Sequence, residues 1–109
     1  MVRATRIARA DFPARAPKAR VADELFSVAL WSVHQGLEPK FGCVVSKKVA
    51  ARAVDRNALK RRCREIALPL VGGMKRPVAI VVYPKKAALG ASFAQMKASL
   101  SKLLAELQS

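Results

Sequence analysis

The chain is expected to fold as an α+β two-layer sandwich with helices on one face of a small sheet. Three observations carry this expectation. Residues 25–33, 41–46 and 78–83 are short apolar runs rich in strand formers. Residues 55–70 and 93–107 instead place their apolar side chains at helical spacing. The resulting order is strand, strand, helix, strand, helix, which leaves the opposite sheet face partly open. At 109 residues and 52% apolar composition, residues 1–109 suit a single domain with a core of its own.

Residues 1–20 hold six Lys or Arg, together with Asp11, Pro13 and Pro17. The prolines interrupt any long helix, so this segment reads as a basic N-terminal arm with at most one or two helical turns. Phe12 is its lone aromatic, a residue suited to docking. In LFSVALWSV (25–33), Phe26, Val28 and Leu30 alternate with Ser27, Ala29 and Trp31, as in a half-buried strand. HQGLEP (34–39) is a turn. FGCVVS (41–46) is a second strand, expected to pair with the first as an antiparallel hairpin. Gly42 inside it points to a close approach or a bulge.

Residues 46–54 form a basic connection. A helix is then predicted from an N-cap at Asp55, with an end or kink at Leu68-Pro69 and a finish at Gly72-Gly73. VAIVVY (78–83) is apolar on both faces, the pattern of a central strand, and Pro84 closes it. Ser92 and Gln95 have the spacing of a capping box. Phe93, Met96, Leu100, Leu103, Leu104 and Leu107 then form a core stripe.

The net charge is +14, from 21 Lys and Arg against 7 Asp and Glu. Such self-repulsion opposes compaction, and a basic domain of this size is most often a polyanion binder, with nucleic acid the commonest polyanion and an anionic membrane surface the weaker option. No apolar run approaches ~20 residues, so no segment is expected to span a bilayer, and the N-terminus shows no apolar segment suited to a secretory signal. Cys43 and Cys63 make no CxxC pair and read as small buried hydrophobes in a reducing cytosol. With His34 as the only histidine and seven scattered acids, the chain is poor in the nucleophile-base or carboxylate pairs that a protein enzyme requires, and no metal or catalytic role is expected for His34.

The helix beginning near Asp55 is unusual in its charge. Advancing about 100° per residue from Arg56, Lys60, Arg64, Asn57 and Arg61 fall on one arc, beside an apolar arc of Leu59, Cys63, Ile66 and Leu70. Arg56, Lys60 and Arg64 are like charges at i, i+4 and i+8, each pair destabilising an isolated helix by a few tenths of a kcal/mol, about 0.2–0.5. From Lys40 to Arg64 the sole acid is Asp55, against nine Lys and Arg. A solvated helix surface mixes signs; this one is arranged for an external anion.

SKKVAARAVDRNALKRRCRE (46–65) closely resembles the signature of the protein subunit of bacterial ribonuclease P. Ser46, Lys47, Lys48, Val49, Ala53, Val54, Arg56, Asn57, Lys60, Arg61, Arg64 and Glu65 match it in order and spacing. The likeness extends more weakly to ADF (10–12), to VAIVVYPKKAA (78–88) and to the leucine-striped last helix. Ala58 and Ala16 depart from it, standing where the family usually has a basic and an aromatic residue.

The resemblance implies a small mixed sheet with a left-handed β-α-β crossover. It implies that Lys47, Lys48, Arg52, Arg56, Asn57 and Arg61 bind the catalytic RNA subunit. It further implies that Phe12, Ser46, Lys60, Arg64 and Trp31 bind the single-stranded 5′ leader of precursor tRNA. On this reading the protein is a cytoplasmic accessory subunit, a monomer in a 1:1 complex with the RNA. The RNA carries the Mg2+-dependent hydrolysis, and this chain supplies no catalytic residue. The alternative is a ribosomal or other structural RNA-binding protein of similar fold, which would share the charge but not the SKKV…RN..KR..RE spacing.

Overall fold

In a computed structural model, residues 5–6, 16–32, 39–74 and 78–108 are described. Phe12, His34 and most of the 34–39 turn lie outside them. The elements are β1 (Thr5–Arg6), β2 (Ala19–Ala22), β3 (Phe26–Ser32), β4 (Lys40–Cys43), α1 (Ala53–Gly72), β5 (Val78–Pro84), a 3-10 turn (Lys86–Gly90) and α2 (Phe93–Gln108). The strands form one mixed sheet in the order β1-β4-β5-β3-β2.

The apolar run of β5 takes the centre. It pairs antiparallel with β3 along its whole length, from Phe26↔Pro84 to Ser32↔Val78. On its other edge it pairs parallel with β4, from Lys40↔Ala79 to Cys43↔Val82. The hairpin expected between residues 25–33 and 41–46 is therefore not formed. β5 is inserted between those strands, because a strand buried on both faces and both edges removes the most apolar surface from water. The parallel pair β4–β5 is joined through α1, the β-α-β crossover. Gly42 sits in regular register opposite Val81, with no bulge.

Strand alternation divides the side chains between two faces. Phe26, Val28, Leu30, Phe41, Val78, Ile80 and Val82 point into the main core, which α1 and α2 cover. Ala29, Trp31, Ala79 and Val81 point the other way and form a second, smaller cluster with Tyr83 packed against it.

α1 begins at Arg52 as N-cap rather than at Asp55. Asp55 stands in the first turn, where its charge favours the helix dipole. The helix also passes through Pro69 and reaches Gly72. Pro69 lacks an N–H for the Glu65 carbonyl, and it stands on the exposed side of the helix, as Glu65 does. The Gly73 and Met74 amides close the end by donating to the carbonyls of Pro69 and Val71. Leu59, Cys63, Ile66, Ala67 and Val71 are the buried stripe. Leu70 lies at its margin.

The capping box on α2 forms as read. The Ser92 amide donates to Gln95 Oε1 at 2.8 Å, and the Gln95 amide donates to Ser92 Oγ at 3.1 Å. Met96, Leu100, Leu103 and Leu104 are buried, whereas Phe93 is 47% exposed and stands outside the core stripe.

β1 lies wholly within residues 1–20, the segment expected to be only a basic arm, and β2 starts at its end. Val21 of β2 pairs with Val28, and Ala19 and Val21 face the core. The turn into β3 is tied on three sides. Asp23 Oδ1 accepts from the amides of Leu25 and Phe26, Oδ2 accepts from the Ser99 hydroxyl of α2, and the Asp23 carbonyl accepts from Lys85 Nζ.

Candidate nucleic-acid interface

The connection between β4 and α1 is built from the chain inward. Val44 continues the sheet by donating to the Val82 carbonyl, and Val45 and Ala50 are buried anchors at either end of the loop. Between them, the amides of Val49 and Ala50 donate to the Ser46 carbonyl, and the Val49 amide also meets Ser46 Oγ at 3.3 Å. The loop is a tight turn nucleated by Ser46. Its anchors point inward, so Lys47 and Lys48 point outward and are exposed.

Arg56 locks this turn to the helix. Its Nη1 donates to the carbonyls of Ala50 at 2.9 Å and Ala51 at 2.8 Å. Of the residues implied to contact the RNA subunit, Arg56 thus has part of its guanidinium committed inside the protein. Lys47, Lys48, Arg52, Asn57 and Arg61 are all exposed, on the loop and on the first turns of the helix it leads into. They form one cationic surface with a fixed backbone. The Arg52 N-cap has no side-chain cap.

The burial sequence along α1 separates two rows. Lys60 and Arg64 are half-buried, beside the apolar stripe, while Asn57 and Arg61 stand clear of it. Beneath them Cys63 meets Cys43 of β4. The hydrogen bond to the Cys43 thiol and full burial push the Cys63 thiol far above its ordinary value. Both cysteines are free thiols, and Cys63 is 0% exposed.

The sheet face away from the helices is closed in its middle and open toward β2. Trp31 is 5% exposed, among Ala29, Ala79 and Val81, so its indole packs rather than standing free for a base. Toward the β2 edge, Lys18, Arg20 and Ala22 are exposed, and Ser27 and Tyr83 are half-buried. Arg20 lies over the Tyr83 ring, 5.8 Å from its centroid. Neither residue stands out in the sequence, since the contact depends on a strand, β2, whose only β-branched residue is Val21. Among the described residues no helix is long and apolar enough to cross a membrane.

Comparison with known proteins agrees with this geometry. The family model described as Ribonuclease P matches residues 6–108. The ribonuclease P protein component of Synechococcus sp. (strain JA-2-3B'a(2-13)) is 31% identical over 70 residues, which cover 64% of this chain and 53% of that protein. The chain therefore spans about half the length of that relative. The component from Cyanothece sp. is 29% identical over 92 residues, covering 84% of this chain and 70% of its own. Among solved structures, the Staphylococcus aureus ribonuclease P protein superposes with a TM-score of 0.79 at 30% identity, covering 96% of both chains. The Thermotoga maritima protein does so with a TM-score of 0.70 at 28% identity, covering 84% of both. With a family match over nearly its whole length and a fold shared with solved members, the chain belongs to the ribonuclease P protein-component family.

Proposed function

We propose that this chain is the protein component of a ribonuclease P holoenzyme and assists removal of the 5′ leader from precursor tRNA. The observation that carries the reading is the built surface of residues 46–64. Ser46 shapes the turn, Arg56 locks it to α1, and Lys47, Lys48, Arg52, Asn57 and Arg61 are displayed together. Backbone amides and guanidinium or ammonium groups on rigid elements position an RNA through its phosphates. This surface is assigned to the catalytic RNA subunit, in a 1:1 complex formed in the cytoplasm.

The half-buried row of Lys60 and Arg64 is assigned to the leader, with Ser46 and Phe12. A single strand needs cations for its backbone and flat surfaces for its bases. Trp31 contributes to the floor of the sheet face and not to its surface. Phosphodiester hydrolysis is assigned to the RNA subunit, as is its magnesium. Among the described residues no His, Cys, Asp and Glu are grouped to hold a metal ion, and no residue of this chain is given a ligand role.

Reconstitution tests the reading. The purified protein is expected to restore leader removal to a bacterial ribonuclease P RNA at magnesium too low for the RNA alone. Tight binding to that RNA with no gain in leader removal would favour a structural RNA-binding role instead.

A further inference from the structure

The β2 edge of the second sheet face carries a feature that the cationic loop and helix do not use. Arg20 pairs with Ala29, and Ala29 with Val81, so these three lie in one row across β2, β3 and β5. Tyr83 lies one step along the same face, in the row of Ser27 and Ala22. To reach the Tyr83 ring, the Arg20 side chain crosses β3 diagonally. It can do so because Ser27 and Ala29 are small. A bulky residue at either position would stand between cation and ring.

The Arg20 charge meets the ring at 5.8 Å, within the range of a cation–π contact, and Arg20 itself remains exposed. Tyr83 is half-buried against the second cluster, so it is a fixed support. Arg20 is thereby held on one side by an aromatic ring and open to solvent on the other. A guanidinium is planar and takes a nucleobase on its face, as an aromatic ring does. Lys18, exposed and just ahead of β2, adds a cation for the adjoining phosphate.

We propose that Arg20, supported by Tyr83, is a stacking plate for one unpaired base of single-stranded RNA crossing the second sheet face. This rests on the leader assignment above and extends it to the far side of the central strand. Arg20 is the contact residue, and Tyr83 is a positioning residue acting through it.

The test uses the holoenzyme assembled with a bacterial ribonuclease P RNA and precursor tRNAs in which one leader nucleotide at a time is made abasic. Stacking of one base is worth about ten-fold in affinity. With the wild-type protein, one abasic position is expected to weaken binding by about that factor. Arg20→Ala should weaken the intact leader similarly and remove the penalty at that position. Arg20→Lys, which keeps the charge and loses the plane, should also remove the penalty while leaving the salt dependence of binding unchanged. Tyr83→Leu should reduce the penalty, and Tyr83→Phe should keep it. An abasic penalty that survives in both Arg20 variants, with precursor still favoured over mature tRNA, would overturn the plate and leave the leader assignment standing. Equal affinity of the wild-type holoenzyme for precursor and mature tRNA would overturn both.

Discussion

Arg56 Nη1 donates to the Ala50 carbonyl oxygen at 2.9 Å, joining the first turn of α1 to the loop that precedes it. This bond and its partner to Ala51 make Arg56 an internal fastening for Lys47 and Lys48. Arg56 and Arg61 carry the same charge on one helix, yet their removal should have different consequences. Arg56→Ala is expected to lower stability by about 1.5–3 kcal/mol, the range for hydrogen bonds from a charged donor. Arg61→Ala should leave stability unchanged and lower the slope of log K against log salt for RNA binding by about one unit. Denaturant melts and salt titrations of both variants separate the two. Identical behaviour in both assays would contradict the clamp.

Leu59 and Ile66 fill the space between α1 and the sheet, at 2% and 5% exposure. Truncation of either to Ala should cost about 2–5 kcal/mol through lost burial and a residual cavity. A shift in unfolding free energy below about half a kcal/mol would be incompatible with their place in the core.

Lys60 and Arg64 stand beside the apolar stripe, where Arg61 does not. Lys60→Ala and Arg64→Ala are expected to weaken precursor tRNA binding by the assembled holoenzyme about ten-fold or more for a fully engaged side chain, with mature tRNA scarcely affected. Paired titrations of the two ligands at fixed salt and magnesium give the answer. Equal weakening of both would remove the leader assignment from this row.

Asp23 should make stability depend on acid. Burial favours its neutral form, but hydrogen bonds from Ser99 and from the Phe26 and Leu25 amides, with the charge of Lys102, outweigh this and hold its carboxyl below 3.8. The native state therefore binds this proton less readily than the unfolded chain does. Its stabilisation is present above the ordinary carboxylate range and is lost as pH falls through the lowered native value. Unfolding free energies of the wild type and of Asp23→Asn should differ at neutral pH and converge as pH falls below about 4. A constant difference across that range would show that the Asp23 charge is not what ties the turn.

The sequence reading located elements whose signals are local. Ser92 and Gln95 are three residues apart and satisfy each other, so the start of α2 needed no tertiary information. The apolar run of β5 identified a central strand for the same reason. Two features were not legible. β2 has one β-branched residue, Val21, and exists because β3 offers it an edge. The placement of β5 between β3 and β4 is a choice among pairings, and adjacency in sequence favoured the wrong one. At the site, the polar arc that carries Asn57 and Arg61 followed from the helical wheel, whereas Lys47, Lys48 and Arg52 were singled out only through the resemblance. The inward bond of Arg56 and the Arg20–Tyr83 contact required coordinates, since each depends on where a loop or an edge strand is brought.

The insertion of β5 between two earlier strands also constrains the order in which the molecule can be made. During synthesis β3 and β4 emerge well before Val78–Pro84, and neither has its principal partner until that segment leaves the ribosome. Until then both carry unsatisfied hydrogen-bonding edges and apolar faces, the combination that invites pairing with other chains. Closing the sheet is a non-local event, which slows folding relative to helical proteins of this size. The nascent chain already holds its cationic loop by that stage. Mutual repulsion between such basic intermediates would keep them apart while the last strand is awaited.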